Sequence, residues 1–153
     1  MFHHVPRPSS MILCVLGSLA PLGCGSEAPP SGPALNGCTD ALYVDRSAPT
    51  ASRTVAFGGF QGSPPLGYTP PCMLIAAGQT VTFAGGPSGF GTHPLNRGSG
   101  PTVRDTGSPG NPIPRVEDGN RPEVMVTFPA AGTFPYHCEF HFGGGMYGVV
   151  RVR

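Results

Sequence analysis

The chain has 153 residues, enough for one domain and a leader, with 24 Gly, 20 Pro, no Trp and only 11% charged residues. Gly and Pro are the two poorest residues inside a helix, so a long helical architecture is excluded. The glycines follow no triplet period, which excludes collagen, and 39% hydrophobic content argues against outright disorder. The formal charge is +1, all nine basic residues are Arg and they form no cluster, so there is no electrostatic footprint for nucleic acid or an anionic membrane surface.

Met11–Leu22 (MILCVLGSLAPL) is an uncharged, mostly apolar run of 12 residues. It is too short to span a bilayer and has the length of a secretory hydrophobic core. Leu22-Gly23-Cys24 follows, and then the polar stretch SEAPPSGPALN. That order resembles a bacterial lipoprotein signal, which implies lipidation of Cys24, although Pro21 stands where an aliphatic residue is usual. The expected organisation is a signal peptide over 1–23, a Pro/Ser/Gly-rich tether over 24–36 and one domain over 37–153. The implied location is the periplasmic side of a bacterial membrane or the cell surface, with membrane contact only through the lipid. Ordinary secretion by a different cut is the alternative. Cleavage before Cys24 leaves 130 residues with eight Arg, eight acidic residues and three histidines: His93, His137 and His141.

Cys14 goes with the leader and Cys24 would carry the lipid, which leaves Cys38, Cys72 and Cys138. An exported chain favours a disulfide, and Cys38–Cys72, flanking the first strands, is the expected pair; two free buried cysteines are the alternative. Cys138 is left over. Short β-type runs cover Ala41–Arg46, Arg53–Gly58, Met73–Ala77, Thr80–Ala84, Glu123–Phe128, Thr133–Cys138 and Tyr147–Val152. Between Gly85 and Pro122 the chain is rich in Gly, Pro, Ser and Asn and reads as a long loop with room for one weak strand. Seven to eight strands separated by turns predict an all-β protein, a Greek-key β-sandwich.

The chemistry gathers near the end. YHCEFHFGGGM spaces Cys138, His141 and Met146 as C-x2-H-x4-M in a Gly-rich turn between two strands, and His93 lies 45 residues before Cys138 in another loop. A thiolate, two imidazoles and a thioether are soft and borderline ligands that suit copper cycling between Cu(I) and Cu(II). Zinc is the weaker reading, because zinc sites rarely use Met and usually bring a second Cys or a carboxylate. Each residue alone is unremarkable: a lone loop His is most often solvated, and Met146 could be ordinary core packing. The joint pattern is what is specific.

The stretch GTFPYHCEFHFGGGMYGVVRVR, with AAGQTVTF upstream, resembles the cupredoxins of the plastocyanin/azurin family from about Asn36 to the end. The resemblance implies the cupredoxin sandwich, with one type 1 copper per chain held by His93, Cys138 and His141 and, axially, by Met146. It implies an electron carrier rather than an enzyme, a monomer passing single electrons between redox proteins such as a cytochrome or a copper or haem oxidase or reductase. Copper storage or delivery with the same ligands is the alternative; a sandwich with a vestigial site is a third. Strand alternation sets the His137 side chain opposite that of Cys138, so His137 is expected outward as a surface residue, with a partner contact as its functional reading.

Two departures from the plastocyanin pattern stand out. Plastocyanins usually follow the first His with Asn, whose backbone N–H bonds the Cys sulfur; here Pro94 follows His93 and has no N–H. Plastocyanins often have Pro two residues after the Cys, where this chain has Phe140, so the Phe140 N–H is expected to be the sulfur's only backbone donor. Phe142 replaces a usually polar residue after His141, and with Leu95 and Gly143–Gly145 it is expected to form an apolar rim around the His141 edge.

Overall fold

The computed structural model describes residues 34–100 and 110–153. The signal segment and Cys24 lie outside the described residues. Nine strands are present among the described residues: β1 (Val44–Asp45), β2 (Thr54–Phe57), β3 (Tyr68–Thr69), β4 (Cys72–Ile75), β5 (Thr80–Ala84), β6 (Leu95–Arg97), β7 (Glu123–Thr127), β8 (Gly132–Cys138) and β9 (Tyr147–Val152). They form a five-stranded sheet in the order β1-β4-β9-β8-β6 and a four-stranded sheet in the order β3-β2-β5-β7. Both sheets mix parallel pairs (β1/β4, β4/β9 and β2/β5) with antiparallel ones, so the chain repeatedly crosses between sheets. This is the expected all-β sandwich.

The clean alternation read from TVTFA and EVMVTF is realised as a two-sided strand pair. Val81, Phe83 and Val126 are buried while Met125 and Thr127 face solvent. Their inward side chains meet Phe57, Met73, Ile75, Phe134 and Tyr136 in one core. Gly148 marks the tightest approach between chain segments. A Cβ there would collide with the Pro71 carbonyl oxygen and lie 2.5 Å from the Tyr136 hydroxyl, which itself donates to that carbonyl at 3.0 Å.

Three local features differ from the sequence expectations. Ala41–Arg46 is not one strand: Asp40–Leu42 forms a 3-10 turn and only Val44–Asp45 pairs, because β1 has a single neighbour, β4. Tyr68–Thr69, outside the runs read as strands, pairs with β2. The long Gly85–Pro122 connection contains β6, the weak strand it had room for, but it also buries Phe90, Ile113 and Val116 in the main core, so its ends belong to the sandwich. Pro101–Pro109 lies outside the described residues.

The outer face of β8 is covered as well. Asn36 donates from Nδ2 to the Tyr136 and Gly148 carbonyls at 3.0 and 3.2 Å, and Asn111 donates to the Pro135 carbonyl at 3.0 Å. Every residue from Phe134 to Cys138 is consequently buried. Among the described residues no helix is long and apolar enough to cross a membrane.

Cys38 and Cys72 form a disulfide, and Cys138 is the free, buried cysteine. The bridge packs with Val149 against Leu35 and Tyr43 beneath the start of β9. It closes a loop with a sequence separation of 34, worth about 3–4 kcal/mol by the chain-entropy relation. The double substitution Cys38→Ser/Cys72→Ser is therefore expected to lower the unfolding free energy by that amount in urea titrations. A loss below about 1 kcal/mol would contradict the entropic account.

Candidate metal centre

Cys138 is the last residue of β8, and its strand neighbour across β6 is Leu95. That register sets His93, two residues before Leu95, just beyond the end of the sheet where the β8–β9 turn begins. The turn is short and Gly-rich: Phe142–Gly144 is a single 3-10 turn closed by Gly145 with φ +92°, a left-handed conformation that glycine adopts freely. Its backbone folds back on itself, with the Gly144 and Met146 N–H groups donating to the His141 carbonyl at 3.0 and 3.2 Å. The Cys138 N–H donates to the Met146 carbonyl at 2.9 Å, which brings the two ends of the turn together.

One ligand atom from each of His93, Cys138 and His141 lies within 4.8 Å of the others. The two Nδ1 atoms face each other at 3.1 Å, and Cys138 Sγ is 3.4 Å from His141 Nδ1. Cys138 and Met146 are fully buried and share the main core. His93 is buried and His141 half-buried, so His141 is the donor nearest solvent.

The His93 ring is held from the opposite sheet. The Phe57 ring meets it at 6.2 Å and 74°, and Gly58, with φ +65°, lies so close that a Cβ would sit 3.1 Å from His93 Cδ2. Burial, with the nearby His141 as second cause, lowers the His93 pKa, which keeps the ring neutral and its lone pair available. A neutral imidazole is the form that binds a metal.

Burial pushes the Cys138 thiol up, while the backbone N–H groups of His141 and Phe140, donating to the sulfur, hold it back. Phe140 is thus a sulfur donor as the departure from the plastocyanin pattern suggests, but it shares that role with His141. Pro94 takes part differently: its carbonyl accepts from the Glu139 N–H at 3.0 Å and ties the His93 loop to the turn after Cys138.

Two expectations about the surroundings are overturned. His137 is fully buried, because Asn96 and Tyr147 flank it in the sheet and Phe142 covers its ring. The apolar rim is also composed differently. Leu95 is fully buried, and the half-buried Phe142 packs on His137 and Tyr147 beneath the turn. Exposed apolar side chains nearby come instead from Phe140 (64% exposed) and Leu66 (48%), the latter approaching Gly144. Strand alternation identifies which face His137 is on; it carries no information about what covers that face.

Sequence comparison places this geometry in a family. No family model matches the chain. The chloroplastic plastocyanin of Physcomitrium patens is 35% identical over 123 residues, covering 79% of this chain and 68% of that protein. The chloroplastic plastocyanin of Chlamydomonas reinhardtii is 32% identical over 105 residues, 67% of this chain and 68% of that protein. Among solved structures, amicyanin from Paracoccus versutus aligns at TM-score 0.45 and 22% identity, over 69% of this chain and 85% of amicyanin. A copper-containing nitrite reductase from Thermus scotoductus aligns at TM-score 0.48 and 20% identity, with this chain spanning 28% of it. With two plastocyanins aligned over most of their length and a Cys-His-His group able to hold one metal ion, the chain belongs to the plastocyanin family of type 1 copper electron-transfer proteins.

Proposed function

We propose that His93, Cys138 and His141 would hold copper as its strong ligands, that Met146 would be the fourth and weakest donor, and that the protein is an electron carrier with no catalytic reaction of its own. The observation that carries this reading is the convergence of two imidazole Nδ1 atoms and one thiol sulfur within 4.8 Å, beside a fully buried methionine. Two imidazoles, a thiolate and a thioether form the donor set of a blue-copper centre, so these residues fit the metal. Copper bound there supplies a one-electron couple between Cu(I) and Cu(II).

The chain's own residues do the rest. The core around Cys138 and Met146 excludes water, and the N–H groups of His141 and Phe140 stabilise negative charge on the sulfur. The half-buried His141 ring is the edge through which an electron enters and leaves. Four protein donors leave no open coordination position for a substrate, which supports a carrier role. The partners are redox proteins such as a cytochrome or a copper or haem oxidase or reductase, met at the exposed apolar side chains Phe140 and Leu66 around the turn. The chain acts as a monomer after export, held at the membrane through a lipid on Cys24. The apolar run Met11–Leu22, the Gly23-Cys24 junction and the disulfide support this location.

Cys138→Ser is expected to abolish the intense thiolate-to-copper absorption and leave the β-sheet circular dichroism intact. A blue Cys138→Ser protein would remove Cys138 from the ligand set. His141→Gly should lose the blue spectrum and regain it with added imidazole, since the half-buried ring leaves an opening to solvent; no recovery would place His141 outside the ligand set.

The donor pair on the sulfur leads to a voltammetric prediction. Removing one N–H donor by Phe140→Pro favours Cu(II) and should lower the reduction potential. A hydrogen bond worth 0.5–1.5 kcal/mol corresponds to roughly 20–60 mV for one electron. Phe140→Leu retains the N–H and should leave the potential nearly unchanged, so equal shifts in the two variants would refute the hydrogen-bond argument. For the anchor, Cys24→Ser should move the protein from the membrane pellet to the soluble fraction of its host, and unchanged partitioning would rule Cys24 out.

A further inference from the structure

His137 precedes one proposed ligand and does not belong to the ligand set, yet it is fully buried and touches both ligand-bearing segments. Its Nδ1 lies 3.0 Å from the Gly98 carbonyl oxygen. A carbonyl only accepts, so Nδ1 carries the proton and donates. Gly98 immediately follows β6, whose first residue lies two positions after His93, and its N–H donates to the Pro135 carbonyl at 2.9 Å. On the other side the His137 ring meets Phe142 at 5.6 Å and 87°, a T-shaped contact. Phe142 is bonded to His141 and packs in turn on Tyr147 at 5.1 Å, while Gly100 leaves room beside it, a Cβ there lying 3.7 Å from Phe142 Cζ.

We infer that His137 is a positioning residue for the metal centre, clamping the β6 segment by its Nδ1–H and the 139–145 turn by its ring contact with Phe142. This inference rests on the ligand reading above. Other restraints from outside act at Glu139, whose N–H donates to the Pro94 carbonyl and whose carboxylate pairs with Arg115 at 2.8 Å, and at His141, whose Nδ1 lies 3.1 Å from His93 Nδ1; Gly143, Gly144 and Gly145 are exposed and contribute no side chain. Its internal hydrogen bonds define its shape, but they do not fix its orientation on the sheet. Phe142 is the one large side chain of the turn directed onto the sheet, and His137 is the polar residue beneath it. An edge-to-face pair prefers one mutual angle, so the contact constrains how Phe142, and with it the neighbouring His141 ring, is oriented. The expectation of a surface histidine is replaced by an internal one that joins both ligand loops.

The test uses Phe142→Leu, His137→Asn and the double variant in the full domain. Phe142→Leu keeps apolar volume on a half-buried site and removes the ring; His137→Asn keeps a donor for the Gly98 carbonyl and removes the ring. In copper-free protein, Phe142→Leu should speed amide hydrogen exchange of residues 139–145 about two- to tenfold, the range of one aromatic pair, with no change in β5 and β7. In copper-loaded protein, the relative intensities of the thiolate-to-copper bands should change. The double variant should show no larger change than Phe142→Leu alone, because both substitutions break one contact. Wild-type exchange and spectra in the single variants, a slowdown or speed-up spread over all strands, or strictly additive effects would each overturn the inference. A wild-type protein that stays colourless with Cu(II) would refute the ligand reading instead, and the copper-free exchange data would still decide whether His137 and Phe142 clamp the turn.

Discussion

The metal centre depends on three residues of antiparallel pairing between β6 and β8. His93 and Cys138 are 45 residues apart, and nothing local brings them together. The pairing of Leu95 with Cys138, continued by Asn96 with His137 and Arg97 with Tyr136, fixes the register. The Glu139 N–H to Pro94 carbonyl bond extends it past the end of the sheet. A slip of one residue would turn His93 to the other face, since side chains alternate along a strand. On the other edge Leu95 exchanges two 2.9 Å hydrogen bonds with Val116, so the short strand is held from both sides.

Around that constraint the two sheets divide the work. The five-stranded sheet supplies, of the proposed ligands, Cys138 and, through its β8–β9 turn, His141 and Met146. The four-stranded sheet supplies Phe57 and Gly58, which pack on the His93 ring. The sulfur is buried and faces two backbone N–H groups, a surrounding that lets a thiolate exist in the core only when charge is shared with donors or a metal.

The sandwich itself was legible because alternation of apolar and polar residues is a local signal. TVTFA and EVMVTF each present one side to the core as their spacing indicates, whereas YGVVRV is buried on both faces, Val150 in the main core and Val149 against the disulfide. The ligand spacing C-x2-H-x4-M was legible for the same reason, since it lies within nine residues of one turn. Less could be read where a residue's role comes from distant segments. LNR is a strand only because Cys138 and Val116 flank it, and YT only because β2 accepts it. His137 reads as a surface residue until Phe142 covers it, and Leu95 reads as part of a rim until both its strand edges are paired and its side chain joins the core.

The choice of β structure, the expected Cys38–Cys72 pair and the four residues whose chemistry suits copper were legible in the linear chain. Those properties reside in composition, side-chain type and the order of residues, which need no folded structure to be read. The tertiary structure decided which of the neighbouring residues serve the centre: Phe140 and His141 as paired sulfur donors, Pro94 as an acceptor linking two loops, and His137 as an internal group. The roles of Pro94 and His137 depend on distances between segments far apart in the chain, and such distances exist only once the sheets have closed over the core.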